Sequence, residues 1–262
     1  MRIWWLLALS CYTQCVIAEV LLSYEVLTIK GAQKVHVVGF SLDNVRMSLT
    51  TNKALSPLSS MVDDDVVAMI NASFFTRDAV VAGSIKYPGR KLYVSPGPRG
   101  VLGWRNTQEG VEVFFDRLRL DKEAISSDLS HTPWWLNADY IIEGAPLLIY
   151  QSQPQSLFLE HLAESFHENA YARSAVCVRQ DNTMYWFMVE GVGRFQHSMG
   201  LRGGINLRDF TQFLLAFGCV NALNLDGGRS SSMFVQGNYY YGSSFIVNKP
   251  IINALALYSR TK

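Results

Sequence analysis

The sequence has little charge and no excess of either sign. Only 17% of its 262 residues are charged, with 23 Lys and Arg against 22 Asp and Glu. A charged fraction this low, combined with 12% aromatic residues, excludes an intrinsically disordered chain. The near-zero net charge also argues against a nucleic-acid partner, which would require a basic excess. The composition therefore indicates a folded protein that does not bind nucleic acid.

Cysteine is also scarce, with four residues in the chain. Two of them, Cys11 and Cys15, lie in the apolar N-terminal stretch, which leaves Cys177 and Cys219 for the rest. Two cysteines do not make a disulfide-dense scaffold, so a hydrophobic core must supply the stability. The remaining pair fits one disulfide and two separate buried thiols equally well.

The N-terminus has the order of a secretory signal. A basic residue is followed by an apolar run and then by small residues up to Ala18, with cleavage expected before Glu19. The run is far shorter than the ~20 residues of a membrane-spanning helix. We predict a signal peptide over residues 1–18 and a secreted or periplasmic mature domain, residues 19–262, without a transmembrane span. The alternatives are a short N-terminal anchor or an apolar first strand, and Cys11 fits a lipid-attachment box poorly.

Short apolar or alternating runs recur along the chain, and their β-branched and aromatic content favours strands over helices. The predicted strands lie at residues 35–40, 45–49, 66–70, 101–104, 111–115, 141–142, 147–150, 175–178, 184–189, 223–225 and 251–258. There is no βαβ alternation, and no linker rich in Pro, Ser or Gly divides the chain. We therefore predict an α+β single domain built on a strand-rich mixed sheet with few helices.

Two segments have helical signals. Over residues 207–217 the apolar side chains recur on one helical face, Asn206 is the expected N-cap, and Gly218 is the expected C-terminal stop. A second helix is predicted over residues 157–166.

The most informative stretch is a strand that runs into a glycine turn. Its central residues are Asn224, Leu225, Asp226, Gly227, Gly228, Arg229, Ser230 and Ser231. Such a strand places the Asp226 carboxylate at a sheet edge, and the glycines allow positive φ and close approach to a ligand. The N–H groups of the turn can form an anion-binding concavity, to which Arg229 adds positive charge. An ordinary hairpin turn is the alternative.

Three other polar residues stand at the ends of predicted strands. Asn71 is suited to hold a sugar hydroxyl, with Phe74 or Phe75 as an apolar neighbour, although Phe75 also fits a core position. Arg173 is suited to grip a carboxylate or phosphate through paired hydrogen bonds. Glu190 is suited to be a second carboxylate or a partner of Arg173. Each also has an ordinary interpretation, as a turn amide, a surface arginine or a solvated loop acid.

Signals for a metal or a cofactor are weak. The five histidines are scattered without zinc-ligand spacing, and most are predicted to lie in loops or on the surface. The acidic run at residues 63–65 is typical of a solvated loop before a strand. Ser230 and Ser231 lack the strand-to-helix elbow of a hydrolase nucleophile. No cofactor is therefore predicted, and no ligand spacing supports a divalent metal.

Together these motifs resemble the phosphodiester glycosidase family over about residues 66–258. The family's Asn-Gly-Gly-Phe-Phe, Gly-Gly-Pro-Leu-Leu-Val, Arg-Thr-Ala, acidic-Gly and Asn-Leu-Asp-Gly-Gly-Gly-Ser-Ser motifs are similar to stretches that begin at Asn71, Glu143, Arg173, Glu190 and Asn224. The chain departs from them where Arg229 replaces a glycine, Ser174 a threonine, and Ala72 and Ser73 two glycines.

The resemblance implies hydrolysis of the bond between a sugar's anomeric carbon and a phosphate, with a glycan or sugar phosphate as substrate. It assigns Asp226 as nucleophile or base, Glu190 as the second carboxylate, and Arg173 to the phosphate. Asn71 would hold a sugar hydroxyl, and the remaining substrate-binding residues would be Gly227, Gly228, Arg229, Ser230 and Ser231. Two alternatives stay open: a non-catalytic envelope module that binds glycan or phosphate, and a metal-dependent hydrolase with Asp226 and Glu190 as ligands.

Overall fold

The computed structural model describes residues 21–29, 33–192, 197–243 and 248–260. The predicted signal peptide, residues 1–18, lies outside these ranges. Within them, no helix combines the length and hydrophobicity that crossing a membrane would require.

The described elements are mostly strands. The strands are β1 (Ser23–Ile29), β2 (Gln33–Ser41), β3 (Val45–Ser56), β4 (Val66–Asn71), β5 (Ile85–Lys86), β6 (Arg99–Asn106), β7 (Val111–Asp121), β8 (Ala124–Ser127), β9 (Tyr140–Glu143), β10 (Leu147–Tyr150), β11 (Gln153–Pro154), β12 (Arg173–Val178), β13 (Thr183–Val189), β14 (Asn221–Asn224), β15 (Ser232–Val235), β16 (Asn238–Tyr241) and β17 (Ile251–Ser259). The helices are α1 (Glu164–Glu168) and α2 (Leu207–Phe217). Each predicted strand overlaps an observed one, which confirms the strand-rich reading.

The strands form three sheets instead of the expected single mixed sheet. Sheet A has the order β1-β2-β13-β12-β14-β10-β11, sheet B the order β16-β15-β4-β17-β3, and sheet C the order β5-β9-β6-β7-β8. All strand pairings in the described ranges are antiparallel. Hairpins such as β6–β7 and β12–β13 account for the pairs of consecutive strands, because strands joined by short turns must run antiparallel. The other pairs, such as β2 with β13, join strands that are distant in sequence.

Sheet A is covered on both faces, which is why its central strands are continuous apolar runs rather than alternating ones. In β12, Val176 packs into a core shared with sheets B and C, where Trp104 and Trp186 are the largest side chains. Its neighbours Ala175 and Cys177 point the other way, into a second core under α2. The opposite directions follow from the alternation of side chains along a strand.

Helix α2 has the predicted bounds and caps. Its apolar stripe, including Phe210 and Leu214, is buried on sheet A. The Asn206 side chain accepts a hydrogen bond from the N–H of Asp209 at 2.8 Å, and Gly218 ends the helix with a φ of 96°. The helix predicted over residues 157–166 is wrong in extent, since only Glu164–Glu168 is helical.

The two remaining cysteines form a disulfide, which decides between the two alternatives left open by the sequence. Cys177 of β12 is bonded to Cys219, which directly follows the α2 cap, with a Cα–Cα distance of 5.7 Å. Both residues are buried in the core under α2. The bond therefore ties the end of that helix to the centre of sheet A.

We predict that replacing both cysteines with alanine lowers the free energy of unfolding by roughly 4 kcal/mol, because the disulfide closes a loop over a sequence separation of 42. Urea unfolding followed by fluorescence measures this. A reducing agent should move the wild type toward the variant and leave the variant unchanged. An unfolding midpoint that is equal in wild type and variant would contradict the prediction.

Candidate active site

Asp226 lies where the ends of sheets A and B meet. After β14 the N–H of Leu225 donates to the carbonyl oxygen of Ser174 in β12 at 2.8 Å. The N–H of Asp226 then donates to the carbonyl oxygen of Ala72, just beyond β4, at 3.0 Å. Backbone hydrogen bonds to both sheets thus set the position of the Asp226 loop, residues 225–231.

Asn71, the last residue of β4, is 0% exposed and is hydrogen-bonded to this loop. Its Nδ2 donates to the carbonyl oxygen of Asp226 at 2.6 Å. Its Oδ1 accepts from the Ser174 hydroxyl at 2.7 Å and from the N–H of Ser232 at 3.1 Å. The amide is thus bonded to protein groups of both sheets, in place of the expected sugar hydroxyl. Its position makes Asn71 a positioning residue for the loop.

The two glycines of the turn are required by its geometry. A Cβ on Gly227 would lie 2.9 Å from the carbonyl oxygen of Ala172, and Gly228 has a φ of +60°. Four N–H groups of the turn already donate within the protein, those of Gly227, Gly228, Ser230 and Ser231. This differs from the expectation of an anion-binding concavity, because donors used in this way are not available to a phosphate. Side chains must supply most of any anion binding.

The Asp226 carboxyl is tuned by burial. Burial raises the pKa of Asp226 to about 6. The Ser230 hydroxyl, the N–H of Gly227 and the positive charge of Lys249 favour the ionised form and hold the pKa below what burial alone would give. The Gly227 N–H lies 2.9 Å from Oδ1. At neutral pH the group is an ionised carboxylate with raised basicity, which suits a nucleophile or a base.

Arg173 is a buried cation, 1% exposed, at the wall of the same cleft. Its guanidinium donates to the backbone carbonyl oxygens of Phe166 (2.7 Å), Asn169 (3.1 Å) and Ile205 (3.2 Å). These acceptors carry no formal charge, and burial lowers the pKa of Arg173 to about 9. A cation desolvated in this way attracts an anion that reaches the cleft.

Two more cations, Arg229 and Lys249, line the cleft beside Asp226. Burial lowers the pKa of Lys249, the charge of Arg229 lowers it further, and Asp226 opposes both effects. The Nε of Arg229 is buried and has no hydrogen-bond partner within the described ranges. Sequence reasoning missed Lys249, since it belongs to none of the motifs and reaches the site only through the fold.

These residues enclose a cleft of about 940 Å³, which is in the size range of small-molecule sites. It brings together six of the residues predicted for the site: Arg173, Asp226, Gly227, Gly228, Arg229 and Ser230. Much of the remaining lining is apolar. We call Leu55, Phe74, Phe75, Leu162 and Phe166 the apolar wall. Phe75 combines both predicted roles, because it lines the cleft and also packs on the core beside β4.

Glu190 has different surroundings. Its Oε1 lies 2.8 Å from Nε2 of His36, whose Nδ1 lies 2.8 Å from the Tyr24 hydroxyl. Among the described residues, those that line the cleft do not include Glu190 or Ser231. Ser231 is buried, 1% exposed. Neither residue therefore lines the cleft, although Ser231 is the last residue of the Asp226 loop.

As expected for most of the histidines, three of the five are at least partly exposed, namely His131, His161 and His197. His36 and His167 are the exceptions, buried at 4% and 1% exposure. Within the described part of the chain, no three His, Cys, Asp or Glu side chains are grouped so that they would hold a metal ion. Asp226 and Glu190, the ligands considered for a metal-dependent hydrolase, have separate surroundings.

The sequence model of the phosphodiester glycosidase family matches residues 64–258. The chain belongs to the phosphodiester glycosidase family. The match includes β4, β12, β14 and the Asp226 loop, so all residues that line the cleft except Leu55 lie within the matched range.

Solved structures share the fold of this chain. The catalytic domain of zebrafish N-acetylglucosamine-1-phosphodiester alpha-N-acetylglucosaminidase, auto-inhibited by its pro-peptide, is similar with a TM-score of 0.65 and 18% identity, over 93% of this chain and 85% of that one. A hypothetical protein from Synechocystis is similar with a TM-score of 0.61 and 17% identity, over 90% and 61%. At these identities the similarity shows the fold.

One curated relative is similar over a shorter stretch. The SPbeta prophage-derived uncharacterized protein YomE of Bacillus subtilis strain 168 is 32% identical over 88 residues, which is 33% of this chain and 13% of that protein. The matched segment is therefore a small part of a much longer relative.

We predict that Asn71→Ala destabilises the fold by about 2–4 kcal/mol, because the Ser232 N–H and the Asp226 carbonyl lose a buried partner. Thermal and urea unfolding measure the change. Asn52→Ala, at a partly exposed position of β3, is the matched control and should stay within about 0.5 kcal/mol of the wild type. Equal stability of the two variants would show that the Asn71 amide does not fasten the loop.

Proposed function

We propose that the protein hydrolyses the bond between the anomeric carbon and the phosphate of a sugar 1-phosphodiester. The observation that carries the proposal is the juxtaposition of one ionised carboxylate, Asp226, with the cations Arg173, Arg229 and Lys249 in one cleft. A phosphodiester is anionic, and its anomeric carbon becomes electron-poor as the bond to phosphate breaks. The cleft therefore offers complementary charge to both parts of the reacting bond.

In the proposed reaction the phosphate lies on the cations and the anomeric carbon faces Asp226. The bond between that carbon and the phosphate oxygen breaks, and its electron pair leaves with the phosphate monoester of the aglycone. Asp226 acts as the nucleophile or as the base that deprotonates water, and water supplies the hydroxyl of the released sugar. Because a phosphate is a better leaving group than an alcohol, cations can take most of the role of a general acid.

One protein of similar fold supports the same reaction class. The zebrafish protein of similar fold is named as a glycosidase that acts on an N-acetylglucosamine-1-phosphodiester. The buried disulfide between Cys177 and Cys219 is typical of an oxidising compartment. With the predicted signal at residues 1–18, this supports a secreted or periplasmic enzyme that acts on a glycan-type substrate.

We predict that Asp226→Asn lowers kcat/KM by about a thousandfold or more, because it removes the charge that acts at the anomeric carbon. Release of sugar from the methyl diesters of N-acetylglucosamine, glucose, galactose and mannose 1-phosphates measures this. Since burial disfavours the carboxylate, the variant should be at least as stable as the wild type at pH 7.

The control is Asp64→Asn, at an exposed position before β4, which should retain wild-type activity. Full activity of Asp226→Asn would exclude Asp226 as nucleophile or base. Methyl phosphate that binds to a wild type without turnover of any of the diesters would favour the non-catalytic binding module.

We also predict the pH dependence. The ionised form of Asp226 is the active one, so kcat/KM should fall tenfold per pH unit below about 6 and level off above it. It should fall again as the pH approaches about 9, where Arg173 loses its charge. Ser230→Ala removes a hydrogen bond that favours the carboxylate, and it should move the midpoint to higher pH. A rate that rises as the pH drops below 6 would contradict this assignment.

A further inference from the structure

The cleft holds more apolar surface than a sugar phosphate needs. Its apolar wall comes from three separate parts of the chain: Leu55 near the end of β3, Phe74 and Phe75 after β4, and the stretch that carries Leu162 and Phe166. These side chains are only partly buried. A sugar offers only a C–H face to an aromatic ring and a phosphate offers no apolar surface, so a wall drawn from three parts of the chain is suited to a further, apolar part of the substrate.

The wall adjoins the cations that would bind the phosphate. The guanidinium carbon of Arg173 lies 4.8 Å from the ring centroid of Phe166, and Nζ of Lys249 lies 5.9 Å from that of Phe75. Phe74 and Phe166 are in edge-to-face contact, with centroids 6.0 Å apart. A phosphate held by Arg173 and Lys249 would thus have aromatic rings directly beside it.

This arrangement gives different surroundings to the two groups that a phosphodiester carries, the sugar on one oxygen and the aglycone on another. The sugar must present its anomeric carbon to Asp226, where the polar side chains of Ser230 and Arg229 line the cleft. With the phosphate on Arg173 and Lys249, the group esterified to its other oxygen would meet the rings beside these cations. There the lining is aromatic and aliphatic, which stabilises an apolar group by removing its surface from water.

Building on the proposed function, we propose that the aglycone is apolar, so that the substrate class is a sugar 1-phosphate esterified to an alkyl or aryl alcohol. The phosphate binds the cations, and the alcohol part packs on the apolar wall. Each buried methylene adds roughly fourfold to affinity. A hexyl group should therefore bind much better than a methyl group, even if only part of it reaches the wall.

Binding of the phosphate monoester product tests this proposal, because that product carries the alcohol part and no sugar. Calorimetry with hexyl phosphate and methyl phosphate should show at least tenfold tighter binding of hexyl phosphate to the wild type, with inorganic phosphate competing against both. Leu162→Asn and Phe74→Asn should remove most of this preference and leave the Kd of methyl phosphate within about twofold. Leu159→Asn, at a position 47% exposed, lies outside the residues that line the cleft and is the matched control.

The outcomes separate this inference from the reaction itself. Equal Kd values for hexyl and methyl phosphate in the wild type overturn the apolar aglycone, even if sugar is released from the methyl diesters. A preference that survives both wall variants, or that Leu159→Asn also removes, overturns it as well. Tight hexyl phosphate binding that depends on the wall, without turnover of any diester, supports the apolar site and counts against catalysis.

Discussion

The site depends on one buried amide. Asn71 at the end of β4 bonds at once to the Ser174 hydroxyl of β12, to the N–H of Ser232 in β15 and to the carbonyl oxygen of Asp226. Two of these partners belong to sheet A or its loop and one to sheet B. A short loop rich in glycine would otherwise have large conformational freedom. The three hydrogen bonds of the amide restrict this freedom. A carboxylate must be held in this way if it is to stay aligned with a reacting carbon.

The electrostatics of the cleft are local. The chain has a net charge of only +1, yet Arg173, Arg229 and Lys249 line a single cleft with Asp226. In this cleft burial disfavours the charged form of three side chains. It raises the pKa of Asp226 and lowers the pKa values of Arg173 and Lys249. An anionic ligand would compensate the cations, so ligand binding and the charge state of the site are coupled. Specificity for an anion therefore requires no basic surface.

Much of the fold, and many of the residues that line the candidate site, could be predicted from the sequence. The apolar runs located the central strands, and Asn206 and Gly218 marked the ends of α2, because these signals are local. The Asp-Gly-Gly turn also marked the cleft. What could not be predicted depends on contacts distant in sequence: the three sheets, the position of Lys249, and the separation of Glu190. The sequence suggested that Asn71 holds a sugar hydroxyl, whereas in the structure its amide is bonded to protein groups. The sequence does not show which groups an amide contacts once it is buried.

The separation of Glu190 fits the chemistry of the leaving group. A glycosidase that expels an alcohol needs a second carboxyl as general acid, whereas a departing phosphate can be stabilised by cations. Glu190 instead bonds His36, and the following N–H, that of Gly191, donates to the carbonyl oxygen of Gly242. The N–H of Gly242 in turn donates to Ser231 in the Asp226 loop. The backbone that follows Glu190 thus reaches the Asp226 loop through Gly242, whereas the Glu190 carboxylate faces His36. In the proposed reaction the departing phosphate therefore meets the cations of the cleft and not Glu190.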